Sequence, residues 1–128
     1  MQLLQFTELL GNRLSDILAW EACNDRYIYM YLADGYWTAF EKSAFRFSRI
    51  YKSALLLPMR LPFAPFPIVT ASVRQDGLRL AVKGLVCRGR SARKRVYVVG
   101  KERNATEYQK WHDRETWALR NLPKDVLR

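Results

Sequence analysis

Histidine and cysteine are nearly missing from this chain of 128 residues, which has one histidine, His112, and two cysteines, Cys23 and Cys87. No C-x-x-C pair occurs, which argues against the usual Cys/His zinc sites. We read the cysteines as buried, reduced thiols of a cytosolic protein; a Cys23–Cys87 disulfide is the alternative. Glycine-rich phosphate loops are also missing, since "GLVCRGR" does not fit G-x-x-x-x-G-K-[ST]. There is no long unbroken apolar run. The nearest, "SALLLPMRLPFAPFPIV", contains four prolines and an arginine and cannot cross a bilayer as a helix. The opening "MQLLQFTELLGNRL" lacks a basic leader region and a small-residue cleavage site, and reads as a helix. The expectation is a soluble, cytoplasmic protein of one domain, long enough for a single core.

Acidic residues are scarce where basic ones are dense. The net charge is +10, and residues 41–103 hold fifteen Lys and Arg against three Asp and Glu, whereas residues 1–40 hold two against five. A solvated surface needs no such imbalance. A surface that binds a polyanion does, because each neutralised phosphate releases counterions. The basic residues are interleaved with turn formers and do not share one long amphipathic helix, so a membrane surface is disfavoured.

The periodicity predicts α+β: a mixed sheet of four to six strands flanked by helices, with a helix at each end of the chain. Gln2 to Leu10 reads as a short helix ended by Gly11-Asn12, followed by a helical or irregular segment to Ala22. Tyr27 to Leu32 is the best strand. Tyr27, Tyr29 and Tyr31 face one way, Ile28, Met30 and Leu32 the other, and neither set is charged, so the strand is read as central and covered on both faces. Asp34-Gly35 lets the chain turn, and from Tyr36 the pattern reads as helical, with Ala39, Phe40, Ala44 and Phe47 inward and Trp37 beside them. Residues 55–67 read as a proline-rich connection with a short strand at Leu55 to Leu57. Residues 68–74 read as a strand, or else a helix turn, and 78–99 as a hairpin with a basic tip, its first strand interrupted at Gly84. The last helix starts at Asn104 with an Asn-x-x-Glu capping box, carries Tyr108, Trp111, Ala118, Leu119 and Leu122 inward, and stops at Pro123.

No catalytic constellation stands out. His112 and Asp113 are adjacent on a helix and do not face each other. Asp25, Asp34 and Asp76 sit in turns, where aspartate is favoured for backbone reasons. No D-x-D or E-x-K cluster marks a metal-dependent nuclease. The expectation is therefore a protein that is not an enzyme, with no cofactor and no metal. Binding residues are easier to name. Lys42, Arg46 and Arg49 recur at i, i+4 and i+7, and Lys52 extends the stripe; it is either a phosphate-facing surface or a solvated helix face. Arg88, Arg90, Arg93, Lys94 and Arg95 form a basic loop suited to a phosphate backbone, or else a solubilising hairpin tip. Tyr36, Trp37 and Trp117 are candidates for stacking on unpaired bases, with the core as the alternative for Trp37.

"YIYMYLADGYWTAFEKSA", Tyr27 to Ala44, resembles the N-terminal, mismatch-recognition domain of the MutS family, whose pattern is a hydrophobic strand followed by G-D-F-Y-E-L-F-x-x-D-A. Without a gap, Asp34 and Gly35 take the G-D positions, Tyr36 the base-stacking phenylalanine, Trp37 the tyrosine, Phe40 the second phenylalanine and Ala44 the alanine. Thr38 stands where the family has its mismatch-reading glutamate. A small, basic, stand-alone MutS-like domain is similar to the accessory proteins encoded beside reverse transcriptases in diversity-generating retroelements. The resemblance implies a MutS domain I-like fold, Tyr36 as a stacking residue, and a non-enzymatic subunit. That subunit would bind the reverse transcriptase and its template RNA, or the cDNA, to support mutagenic retrohoming. A basic protein-interaction adaptor is the alternative.

Overall fold

The structure, a computed structural model, describes residues 4–61, 64, 66–100 and 105–121. Six strands, β1 (Tyr27–Ala33), β2 (Tyr36–Phe40), β3 (Leu55–Met59), β4 (Ile68–Arg74), β5 (Val86–Arg90) and β6 (Lys94–Val98), form one sheet in the order β3-β4-β2-β1-β6-β5. Four helices flank it: α1 (Leu4–Ala22), α2 (Lys42–Ile50), α3 (Leu78–Ala81) and α4 (Ala105–Asn121). The architecture is the expected α+β. Every strand pairing is antiparallel, which narrows the mixed sheet read from the sequence.

β1 is an inner strand covered on both sides, as its two uncharged faces require. Ile28 and Met30 join Trp37, Ala39, Val69, Ala71 and Tyr97 under α2, α3 and Trp111 of α4. Tyr31 faces the other way and packs with Phe40 and Ile68 against Leu14 and Ile17 of α1. Phe40 and Phe47 are wholly buried, each worth about 2 kcal/mol of transfer from water.

Several local readings change. α1 does not stop at Gly11-Asn12 but runs for 19 residues. The spacing of Leu10, Leu14 and Ile17 carries one buried stripe through the glycine, and Gly11 itself is exposed. Asp34-Gly35 is not the joint between strand and helix. It is the two-residue turn of a β1–β2 hairpin, with φ of 53° and 80° as a type I′ turn requires. The Asp34 carboxylate accepts from the amides of Gln5 and Phe6, and the Asp34 amide donates to the Gln5 side chain, so this turn caps the first turn of α1. The change to helix comes at Glu41, another residue with positive φ. Trp37, Phe40 and Ala44 are buried, as expected of core residues.

Pro58 lies in β3, an edge strand, where its missing N–H costs no ladder bond. Leu78 to Ala81 is a short helix rather than a strand, because Leu78, Ala81 and Val82 close over the core at helical spacing. Gly84 has φ of 91° and turns the chain into β5. Cys23 and Cys87 are free and exposed, which corrects the reading of buried thiols: one follows the end of α1, the other sits on an edge strand. In α4, Tyr108, Trp111 and Thr116 form the inner stripe while Ala118 is exposed. The capping box at Asn104, Leu122 and the stop at Pro123 lie outside the described residues. Among the described residues no helix is long and apolar enough to cross a membrane.

Candidate nucleic-acid interface

Residues 86–99 contain no acidic side chain. They fold as the β5–β6 hairpin, closed by the Ser91 amide donating to the Lys94 carbonyl at 2.9 Å. A bulge between Cys87 and Gly89 breaks the regular alternation of β5. Gly89 fits closely there, since a Cβ would lie 3.2 Å from Cγ2 of Val96 and would push on that side chain. Arg88, Arg90 and Arg93 are exposed, whereas Lys94 and Arg95 are half-buried against aromatic rings. Arginines along an exposed edge also discourage pairing with another sheet.

The hairpin divides its cations between the two faces of the sheet. Lys94 is paired with Tyr31 and turns to the α1 side, where its Nζ lies 3.8 Å from the Trp20 ring centroid and near Tyr29 and Tyr31. Burial there, helped by the Arg13 charge, lowers the Lys94 pKa. Arg88 also lies on this side and donates to the Tyr27 hydroxyl at 3.0 Å. Arg95 lies over the Trp37 ring on the opposite face, beside Arg90, Arg79 and Tyr97.

The expected Lys42–Lys52 stripe is not one surface. Arg46 is buried and donates to the backbone carbonyls of Asn24 and Tyr27, so it holds the α1–β1 connection rather than facing a ligand. Lys42 reaches the Ala22 carbonyl at the end of α1. Arg49 pairs with Glu107 at 3.0 Å and, with Lys52, borders the α2–α4 groove beside Lys110 and Arg114. Tyr36 is half-buried in β2 and borders a hollow with Thr38, Leu55, Leu57 and Ser72, apart from the hairpin cations. Trp117 is 62% exposed on α4.

One polar cluster escaped the sequence reading. Glu21 accepts from the Ser43 amide at 2.9 Å, the Ser43 hydroxyl at 2.5 Å and the Asn24 side chain at 3.2 Å. Burial pushes its pKa up to about 7 against these hydrogen bonds. Glu41 accepts from the Val69 amide at 2.8 Å and lies 3.0 Å from Nε2 of His112. Both carboxylates border a groove of about 420 Å³ with Lys42, Tyr108 and His112. The hydrogen bonds tie Glu21 to the start of α2, and Glu41 joins β4 to α4, which is a structural use of both acids. Glu21 follows Leu14 and Ile17 on the buried stripe of α1, a carboxylate at an apolar position, and that was the available signal. Among the described residues no group of three His, Cys, Asp or Glu side chains is placed to hold a metal ion. No protein family, curated protein or solved structure matches the chain.

Proposed function

We propose that this chain is a non-enzymatic, nucleic-acid-binding accessory subunit of a diversity-generating retroelement, as its MutS-like motif implies. It binds the reverse transcriptase and holds the template RNA, or the cDNA, in the cytoplasm. The observation that carries the binding part is the acid-free β5–β6 hairpin, which presents Arg88, Arg90 and Arg93 to solvent. Arginine on an exposed edge can fork onto phosphate oxygens without a preformed pocket. The partner assignment rests on the motif.

The test replaces Arg88, Arg90 and Arg93 together by alanine and leaves Lys94 and Arg95, which pack on rings, in place. Binding of the wild type to structured RNA should weaken steeply with salt, and the variant should bind more weakly with a shallower slope. Equal affinities would remove the hairpin from the interface. The adaptor reading is favoured by exposed apolar side chains away from the hairpin: Trp117, and Leu55 and Leu57 of β3, which are 62% and 52% exposed. Co-purification of a protein together with no nucleic-acid binding at moderate salt would select it.

A further inference from the structure

The α1-side face of the β1–β6–β5 half of the sheet sets three cations of the basic loop, Arg88, Arg93 and Lys94, beside a row of rings and a hydroxyl unpartnered among the described residues, three features in all. The first is a row of rings. Trp20, 40% exposed, lies 6.2 Å from Tyr29, and Tyr29 lies 5.8 Å from Tyr27, centroid to centroid. The row continues outward as aliphatic floor, because Val98 pairs with Tyr27 and Val86 with Val98, so both project from the same face. Gly89 leaves the floor flat beside Val96.

The second is cations at both ends of that row. Arg88 lies over the Tyr27 ring at one end. At the other, Arg13, Arg93 and Lys94 border a groove of about 360 Å³ between α1 and β6. Glu8 is the one carboxylate lining that groove, where Arg93 and Lys94 add to an Arg13 that also pairs loosely with Asp16 at 4.0 Å. Asp16 and Asp25, on the same part of the chain, are each in an ion pair with arginine, Arg13 and Arg26.

The third is an orphan. Tyr31 borders the same groove, and its hydroxyl is buried with no hydrogen-bond partner among the described residues. Burial raises its pKa, so it stays a neutral donor at any ordinary pH. Such groups in native structures are rare and call for an explanation.

We infer that this face is a track for an unpaired nucleic-acid strand: Arg13, Arg93 and Lys94 at one end and Arg88 at the other turn to its phosphates, and its bases stack on the Trp20, Tyr29 and Tyr27 rings that Lys94 and Arg88 now cover. This deepens the nucleic-acid reading and rests on it. The length fits. The rings of Trp20, Tyr29 and Tyr27 follow one another at 6.2 and 5.8 Å, room for two or three splayed nucleotides, the number an aromatic sheet face takes elsewhere. A duplex keeps its bases inside the stack and cannot use the rings, so the track selects single strands. It makes no use of the 2′-hydroxyl, so RNA and DNA single strands should bind alike.

The probes are fluorescently labelled oligouridylate, oligothymidylate and a duplex of equal length, with the full chain. Trp20→Ala should weaken binding of both single strands about tenfold, the loss of one stacked base, and leave duplex binding unchanged. Trp20→Phe keeps a ring and should restore most of the affinity. Tyr27→Ala, at a half-buried position, serves as a second loss if Trp20→Ala fails to fold. Unchanged single-strand affinity in Trp20→Ala, or an equal loss for duplex and single strand, would overturn the track while the hairpin variant still tests the broader reading. A wild-type chain that binds none of the three probes would overturn both.

Discussion

At the residue scale, Glu21 links burial to pH. Its carboxyl titrates at about 7 in the folded chain instead of the ordinary 4.5, because desolvation outweighs its hydrogen bonds to Ser43 and Asn24 and the nearby Arg46 charge. Between these values the unfolded chain has released the proton and the folded chain still holds it. The unfolded state then binds fewer protons, so stability is full below pH 4.5 and falls as pH rises toward 7. The loss is about 3 kcal/mol once both states are ionised. Glu21→Gln removes this titration. Urea denaturation at pH 5 and pH 8 should show a clear drop for the wild type and a flatter response for the variant; parallel pH responses would assign the proton elsewhere. Arg46 shows the same lesson in reverse. It sits at i+4 from Lys42, yet its guanidinium spans two carbonyls inside the fold, because the sheet side of α2 includes that position. Helical spacing alone does not say which charges face water.

At the element scale, the helix that continues through Gly11 invites a direct check. Gly11 is exposed in α1, and a Cβ there would meet nothing within 4 Å. Gly11→Ala should raise stability by about 0.5–1 kcal/mol through helix propensity and the unfolded chain, read as a higher melting temperature. Asp34 offers the opposite change. Its carboxylate receives two amides of the first turn of α1 from a hairpin 28 and 29 residues away. Asp34→Ala should cost about 1 kcal/mol, and hydrogen exchange should speed up first at the Gln5 and Phe6 amides. β1 could be read from the chain because both of its faces are distinct in residue type. β2 could not. Tyr36, Thr38 and Phe40 face α1 while Trp37 and Ala39 face α2, so both sides are covered and no polar alternation marks a strand. Ala39, Phe40, Ala44 and Phe47 also fit a helical period, although Glu41 divides them between two elements. The Asp-Gly pair was the better signal, being a common type I′ turn between apolar runs.

At the scale of the whole molecule, the basic charge was plain in the sequence but its distribution over the surface was not. Alternation across a bulge and a tight turn decides where each hairpin cation points. The result sends Lys94 and Arg88 to the α1 side, Arg95 to the Trp37 side, and leaves Arg49 and Lys52 on the α2–α4 groove. These groups are not equivalent. Arg49 already pairs with Glu107, and the groove it borders sets Glu107 and Glu115 among Arg49, Lys52, Lys110 and Arg114, so its cations are partly compensated in place. The hairpin carries none of its own. Two variants, removing two and three cations, separate a specific interface from a general basic field when compared per charge removed. Arg49→Ala with Lys52→Ala should change affinity for single-stranded nucleic acid by less than about twofold, since exposed and partly paired charges act through screened, long-range attraction. Arg88→Ala with Arg90→Ala and Arg93→Ala should flatten the salt slope by about 2, at roughly 0.7 per lost phosphate contact to a single strand. Titrations across a range of salt concentrations measure both. If the two variants lose affinity in proportion to charge removed, binding follows net charge rather than place, and the hairpin has no privileged role.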